Sequence, residues 1–194
     1  MNLDLNLNNV SIKKIMTFDH QLKLEIVQAG PEIKLRDYQL ETIGKIESSM
    51  AGEGVHRILV VLPTGSGKTI IAAELIRRSV DRNRRIIFLA HRRELVLQCS
   101  DKLGRFGIDH GIIMAGVKPS FIPDVQVGSI QTLSMRLSRG TIEPPKAELL
   151  IFDEGHHCNA NTYLKIIARY PDVKVIGLTA TPIRGDGKGL GVAK

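Results

Sequence analysis

The sequence predicts an α/β fold, a mostly parallel β-sheet with helices on both faces. Three observations predict it. Runs such as Ile86-Ile87-Phe88-Leu89-Ala90 and Leu149-Leu150-Ile151-Phe152 are apolar at every position, as strands covered on both faces must be. Segments with apolar residues at helical spacing separate these runs, so strand and helix alternate along the chain. A Gly-rich turn, Pro63-Thr64-Gly65-Ser66-Gly67-Lys68-Thr69, joins the run Ile58-Leu59-Val60-Val61-Leu62 to a helical stretch from Ile70 to Arg78.

Residues 1–31 stand apart. Leu3, Leu5 and Leu7 alternate with polar residues, and so do Leu22, Leu24 and Ile26 with Lys23 and Glu25. Period-two alternation predicts short strands, and a hairpin turning near Asp19 and His20. Ala29-Gly30-Pro31 punctuates the end of this β appendage, whose role the residues do not reveal. From Arg36 the pattern is helical through Ile43 and Ile46 to about Met50, and Ala51-Gly52-Glu53-Gly54 ends it. Strands are then expected at 57–62, 85–90, 111–114, 125–129, 148–153 and 173–178, and helices at 67–80, 92–105, 130–138 and 161–169.

Composition narrows the class. The chain has 194 residues and 43% hydrophobic content, enough for one sizeable domain with a short extension. A formal net charge of +7 and a pI near 9.6 suggest a polyanionic partner, most often nucleic acid, against the alternative of a solvated basic surface. Aromatic content of 4% without Trp argues against a stacking-rich surface for single strands. Cys99 and Cys158 lie in no paired motif, which fits a reducing compartment. No apolar run is long enough to span a membrane, and no signal peptide is evident, so a cytoplasmic location is expected.

The Gly-rich turn carries the first chemistry. Gly65 and Gly67 let the backbone curl so that successive N–H groups face an anion, and the helix that follows adds its positive end. Lys68 is expected to reach the β- and γ-phosphates of a nucleotide, and the Thr69 hydroxyl to ligate Mg²⁺. A second motif, Asp153-Glu154-Gly155-His156, ends the strand from Leu149 to Phe152. An acid at a strand tip supplies the second Mg²⁺ contact, the role expected of Asp153. Glu154 can activate the attacking water as general base. His156, His157 and Cys158 are not read as a metal site, because adjacent residues do not easily converge on one ion. Cys99, on a helix, is expected in the core.

From about Leu35 to Gly189 the chain resembles the first RecA-like domain of a superfamily-two helicase or translocase. Pro63 to Thr69 resembles its motif I, and Asp153 to His156 its motif II in the D-E-x-H form. Ala90-His91-Arg92-Arg93-Glu94-Leu95 is similar to motif Ia. Val127-Gly128-Ser129-Ile130-Gln131-Thr132 resembles the next strand-contacting motif. Thr179-Ala180-Thr181-Pro182 resembles motif III, and Leu35-Arg36-Asp37-Tyr38-Gln39 the glutamine motif. Six motifs in order are far more specific than any one. The stretch from Ala180 to Gly187 is similar to the restriction-enzyme Res subunit and related DNA-repair helicases.

The resemblance implies further roles. Gln39 would read the adenine edge, with Arg36 and Tyr38 helping to pack the base; Tyr38 is equally open to a core role. Arg92, Arg93, Ser129, Gln131 and Thr132 would contact the phosphate backbone of one strand, with a solvated first turn as the alternative for the two arginines. Thr179, Thr181 and His156 would couple nucleotide state to nucleic acid and to a second motor domain. His156 stands where DEAD-box RNA helicases carry Asp, which favours DNA over RNA. A nuclease or restriction partner is compatible with the subgroup.

Residues 32–184 are thus expected to form the ATP-binding domain. The Gly-rich stretch 185–194 reads as a linker toward a second RecA-like domain that would supply an arginine finger. The chain is therefore expected to be the ATP- and Mg²⁺-binding motor domain of a DNA helicase or translocase. Its rivals are a nucleotide- and nucleic-acid-binding module without motor activity and an RNA helicase domain. A small phosphate-loop kinase would leave the strand-contacting motifs unexplained.

Overall fold

A computed structural model describes residues 10–16, 22–28, 34–52, 54–153 and 160–180. In chain order the elements are β1 (Val10–Met16), β2 (Leu22–Gln28), α1 (Asp37–Ala51), β3 (Arg57–Val61), α2 (Lys68–Val80), β4 (Ile86–Ala90) and α3 (Arg93–Arg105). Then follow β5 (Gly111–Ile113), β6 (Val125–Ser129), α4 (Ile130–Ser138), β7 (Leu149–Asp153), α5 (Ala160–Ile167) and β8 (Lys174–Thr179). The last eleven follow the expected order from α1 onward, the adjacent strands β5 and β6 included. Their six strands form one sheet in the order β3-β8-β7-β4-β6-β5, every neighbouring pair parallel.

β1 and β2 form a separate antiparallel pair, with Val10 opposite Gln28 and Met16 opposite Leu22. The hairpin is expected to turn near Asp19 and His20. Those residues, and the alternating Leu3, Leu5 and Leu7, lie outside the described ones. The partner of β2 is Val10–Met16, a stretch the alternation did not mark, because Lys13-Lys14 and Ile15-Met16 break its period.

The sheet separates two apolar layers, and alternation within each strand decides which layer a side chain joins. Ile86, Phe88, Ile151 and Ile176 pack with Ile43 of α1, Ile71 of α2 and Val96 and Leu103 of α3. Ile87, Leu89, Leu150 and Val175 pack with Ile130 and Leu133 of α4 and Ile166 of α5. Phe88 is fully buried, which is worth about 1.5–3 kcal/mol on its own. On the second side Phe152 meets Tyr163 of α5, ring centroids 4.3 Å apart.

Helix limits follow local chemistry. Gly67 takes a left-handed conformation and caps α2, so the helix starts at Lys68 rather than at Gly67. Arg92 is extended, so α3 starts at Arg93. α5 ends at Ile167, short of the expected 169, where Arg169 N–H and Tyr170 N–H turn to the carbonyls three residues back and Pro171 follows. Among the described residues no helix is long and apolar enough to cross a membrane.

An ionic network ties α1 to α2. Glu74 of α2, with a side chain only 4% exposed, accepts from Arg77 at 2.8 Å and from Arg78 at 2.7 Å. Arg78 also reaches Glu47 of α1 at 2.8 Å, and Glu47 takes Arg82 at 2.7 Å. Burial by itself would push both carboxyls up. The guanidinium bonds outweigh it and hold Glu74 and Glu47 below the usual glutamate value of 4.5.

Replacing Glu74 by Gln leaves Arg77 and Arg78 without their shared carboxylate, at an expected cost of about 1–3 kcal/mol in thermal or denaturant unfolding. Because the folded-state pKa is depressed, this contribution is present above the unfolded value and lost as pH falls through the lower folded one. The gap between wild type and Glu74→Gln should therefore be full at neutral pH and close in acid. A gap that stays constant below pH 4.5 would remove the carboxylate from the account.

Candidate functional site

Parallel pairing puts every carboxyl end of the six-stranded sheet on one edge. Register makes these ends level: Val61 pairs with Thr179, Leu178 with Asp153, Asp153 with Ala90, and Ala90 with Ser129. The motif residues of four loops thus share one rim. The Gly-rich turn follows β3, Asp153 ends β7, Arg92 and Arg93 follow β4, and Ser129 ends β6.

The Gly-rich turn is held from below and behind. Leu62 N–H donates to the Thr179 carbonyl at 2.8 Å, and Ser66 N–H to the Pro63 carbonyl at 3.1 Å. Gly65 and Gly67 both lie in the left-handed region, at φ +80° and +79°. These two positions bend the chain so that it enters α2, whose first-turn N–H groups and positive end face the rim. The Ser66 hydroxyl is buried and has no hydrogen-bond partner among the described residues. A buried hydroxyl in such a turn suits an anionic ligand.

The glutamine motif supports this turn directly. Arg36 caps α1 in an extended conformation, and its N–H donates to the Gln39 side-chain carbonyl at 3.0 Å. The other end of that amide donates to the Ser66 carbonyl at 3.0 Å and to the Tyr38 hydroxyl at 3.4 Å. Tyr38 also donates to the Ser66 carbonyl, at 2.8 Å, so it stands on the surface at 39% exposure rather than in the core. Gln39 is 5% exposed. The sequence suggested that Gln39 reads a base; the geometry adds that it braces the loop.

Asp153 is 3% exposed at the end of β7. A carboxylate so buried stays charged only beside cations or hydrogen-bond donors. Its charge is felt by Cys99: burial first, and Asp153 second, push that thiol up to about 12. Cys99 is thus an inert core residue, as expected from its place on α3. Thr69 is half-buried in the first turn of α2, and Thr179 is buried where β8 meets the turn.

The other half of the rim is polar and open. Arg92 and Arg93 are exposed at the start of α3. Ser129 caps α4, its hydroxyl accepting from Thr132 N–H at 3.4 Å and donating to the Gln131 carbonyl at 3.0 Å. Gln131 is exposed, whereas Thr132 is 6% exposed and turned to the core. The amide nitrogen of Gln131 bonds His91, a residue for which the sequence suggests no role of its own. Its place beside Arg92 at a strand end was the available signal.

Glu154, His156 and Thr181 lie outside the described residues. The opposite, amino-terminal edge of the sheet carries a cleft of about 540 Å³ lined by residues such as Arg84, Lys146 and Arg169, and none of the motifs.

Residues 32–184 match the family described as "Type III restriction enzyme, res subunit". The Schizosaccharomyces pombe protein named "Putative mitochondrial ATP-dependent helicase irc3" is 38% identical over 172 residues, covering 81% of this chain and 28% of that protein. The DNA 3'-5' translocase XPB2 of Sulfurisphaera tokodaii is 31% identical over 159 residues, covering 81% of this chain and 33% of its own. Among solved structures, the Hef helicase domain of Pyrococcus furiosus is similar with a TM-score of 0.62 at 27% identity, over 77% of this chain and 34% of that one. The chain thus spans about a quarter to a third of the length of these relatives.

The two glycines of the turn are expected to differ under substitution. A Cβ at Gly67 would sit 2.5 Å from the Gln39 amide nitrogen, whereas one at Gly65 would meet nothing within 4 Å. Both pay about 1–2 kcal/mol for a left-handed non-glycine residue. Gly67→Ala should therefore lower the melting temperature clearly more than Gly65→Ala, and Gln39→Ala should narrow the difference. Equal losses for the two glycine variants would show that Gln39 does not press on the turn.

Proposed function

Because the chain belongs to the family of type III restriction enzyme res subunits, and its fold is that of the first RecA-like domain of a superfamily-two helicase, we propose that it is the ATP-binding motor domain of an ATP-dependent DNA helicase or translocase. One observation carries this most: a Gly-rich turn opening α2 on the same sheet edge as a buried strand-end aspartate and a pair of exposed arginines.

Division of labour along the rim follows. Residues Pro63 to Thr69 cradle the phosphates, with Lys68 as their cation and the glycines as the bend. Mg²⁺ suits the donors present, since the Thr69 hydroxyl and the Asp153 carboxylate are hard oxygens. When bound, the ion neutralises charge on the phosphates. Glu154 is the proposed general base, and Thr179, Thr181 and His156 the coupling residues. Arg92, Arg93, Ser129 and Gln131 meet the phosphate backbone, while Thr132 acts through its N–H by fixing Ser129. DNA is preferred to RNA in this reading, supported by the D-E-x-H motif and by the relative named as a DNA translocase. A second RecA-like domain supplies the arginine finger, and a nuclease or restriction partner is compatible with the family. A reducing, cytoplasmic setting belongs to the same reading, motivated by Cys99 and Cys158 lying in no paired motif of the sequence.

Calorimetry tests the nucleotide site. Lys68→Ala should weaken ATP by about tenfold or more, the worth of a charge-assisted phosphate contact. Equal affinities would sink the phosphate assignment. Gln39→Ala separates two roles for that residue. A base reader loses the preference for ATP over GTP, whereas a loop brace loses affinity for both alike.

Hydrolysis tests the motor reading. An arginine finger is worth roughly 10³–10⁵ in rate. Residues 1–194 alone should bind ATP yet turn it over barely above background, with little stimulation by DNA. Robust DNA-stimulated hydrolysis by this chain would overturn the dependence on a second domain.

A further inference from the structure

His91 and Gln131 come from different loops of the rim. His91 follows β4 directly, and Gln131 lies in the first turn of α4, just after β6. The two strands are neighbours, paired end to end as Ala90 with Ser129. The residues just past those paired ends therefore meet, and a side-chain bond joins Gln131 Nε2 to His91 Nδ1.

Hydrogen-bond direction runs one way through this cluster. Thr132 N–H donates to Ser129 Oγ, and the Ser129 hydroxyl donates to Gln131 Oε1. The Gln131 carbonyl end is thereby committed, so its NH₂ end faces the imidazole and Nδ1 accepts. Nδ1 accepts only when it carries no proton, which sets the tautomer of a neutral His91. Gln131 is exposed, and an exposed glutamine otherwise samples many rotamers. Here both ends of its amide are tethered, the nitrogen lying nearest Nδ1 and 3.5 Å from Nε2 of the same ring, and an NH₂ group has two N–H donors to share between His91 and a further acceptor.

We propose that His91 is a positioning residue that holds the Gln131 amide ready for a phosphate oxygen of the nucleic-acid backbone. This rests on the reading of the rim as the nucleic-acid track. His91 acts through Gln131: its bond removes rotamer freedom that binding would otherwise have to remove. Gln131 is the contacting group, and His91 links motif Ia to the next strand-contacting motif before any nucleic acid arrives.

The test is fluorescence anisotropy with a labelled oligo-dT at low salt, using the whole 194-residue chain. His91→Leu removes the acceptor and should weaken binding about three- to tenfold, the cost of one unordered side chain. His91→Asn places a carbonyl oxygen where Nδ1 stood and should restore most of the loss. Gln131→Met should weaken binding as well, and His91→Leu combined with Gln131→Met should bind no worse than Gln131→Met alone, because the two act as one unit. Additive losses, or no rescue by Asn, would overturn the positioning role and make His91 an independent contact or a bystander. A wild-type chain that binds no oligo-dT would instead defeat the nucleic-acid reading on which the proposal stands. As a readout free of binding, the Gln131 side-chain amide resonances in ¹⁵N spectra should move in His91→Leu and return in His91→Asn. Resonances unmoved in His91→Leu would show that no bond holds Gln131.

Discussion

Parallel register of the six-stranded sheet is the constraint from which the rest of this molecule follows. In a parallel sheet every strand ends on the same side, and each must return by a crossover. Here the ends of β3, β8, β7, β4 and β6 are level to within a residue. Loops from distant parts of the chain are therefore set side by side on rigid supports. Packing on both faces makes that register costly to change: a one-residue slip would exchange the layer of Ile86 and Phe88 with that of Ile87 and Leu89.

The rim divides into two halves with different physics. Around β3, β8 and β7 the groups are bonded and several are buried: the Ser66 carbonyl receives both the exposed Tyr38 and the buried Gln39, and Asp153 sits almost out of water. Low exposure strengthens each electrostatic contact there, which suits a small, highly charged ligand. Around β4 and β6 the side chains are exposed and the arginines face solvent. Such charges cost little in the free protein and attract a polyanion over a distance limited by salt.

α1 joins the two kinds of order. At its start Gln39, held by the Arg36 N–H, braces the Gly-rich turn, and in its later turns Glu47 takes Arg78 of the helix that the same turn opens and Arg82 just past that helix's end. α1 and α2 are thus held together at both ends by contacts whose partners are far apart in sequence. Tyr38 and Gln39 lie upstream of the Gly-rich turn in the chain yet form its wall in space.

The sequence by itself determined the fold class, the strand and helix order from α1 onward, and the identity of the Gly-rich turn and the strand-end acid. These are local matters: apolar runs mark strands buried on both faces, and left-handed glycines between a strand and a helix mark an anion loop. The first strand of the hairpin escaped because Lys13-Lys14 breaks its alternation. Tertiary structure alone decided how the motif residues are used. It turned Thr132 inward, brought Tyr38 to the surface, tied both ends of the Gln39 amide and set His91 against Gln131. No local pattern encodes those outcomes, because each depends on which strand ends become neighbours, and that is settled only when the whole sheet has paired and both of its faces are covered.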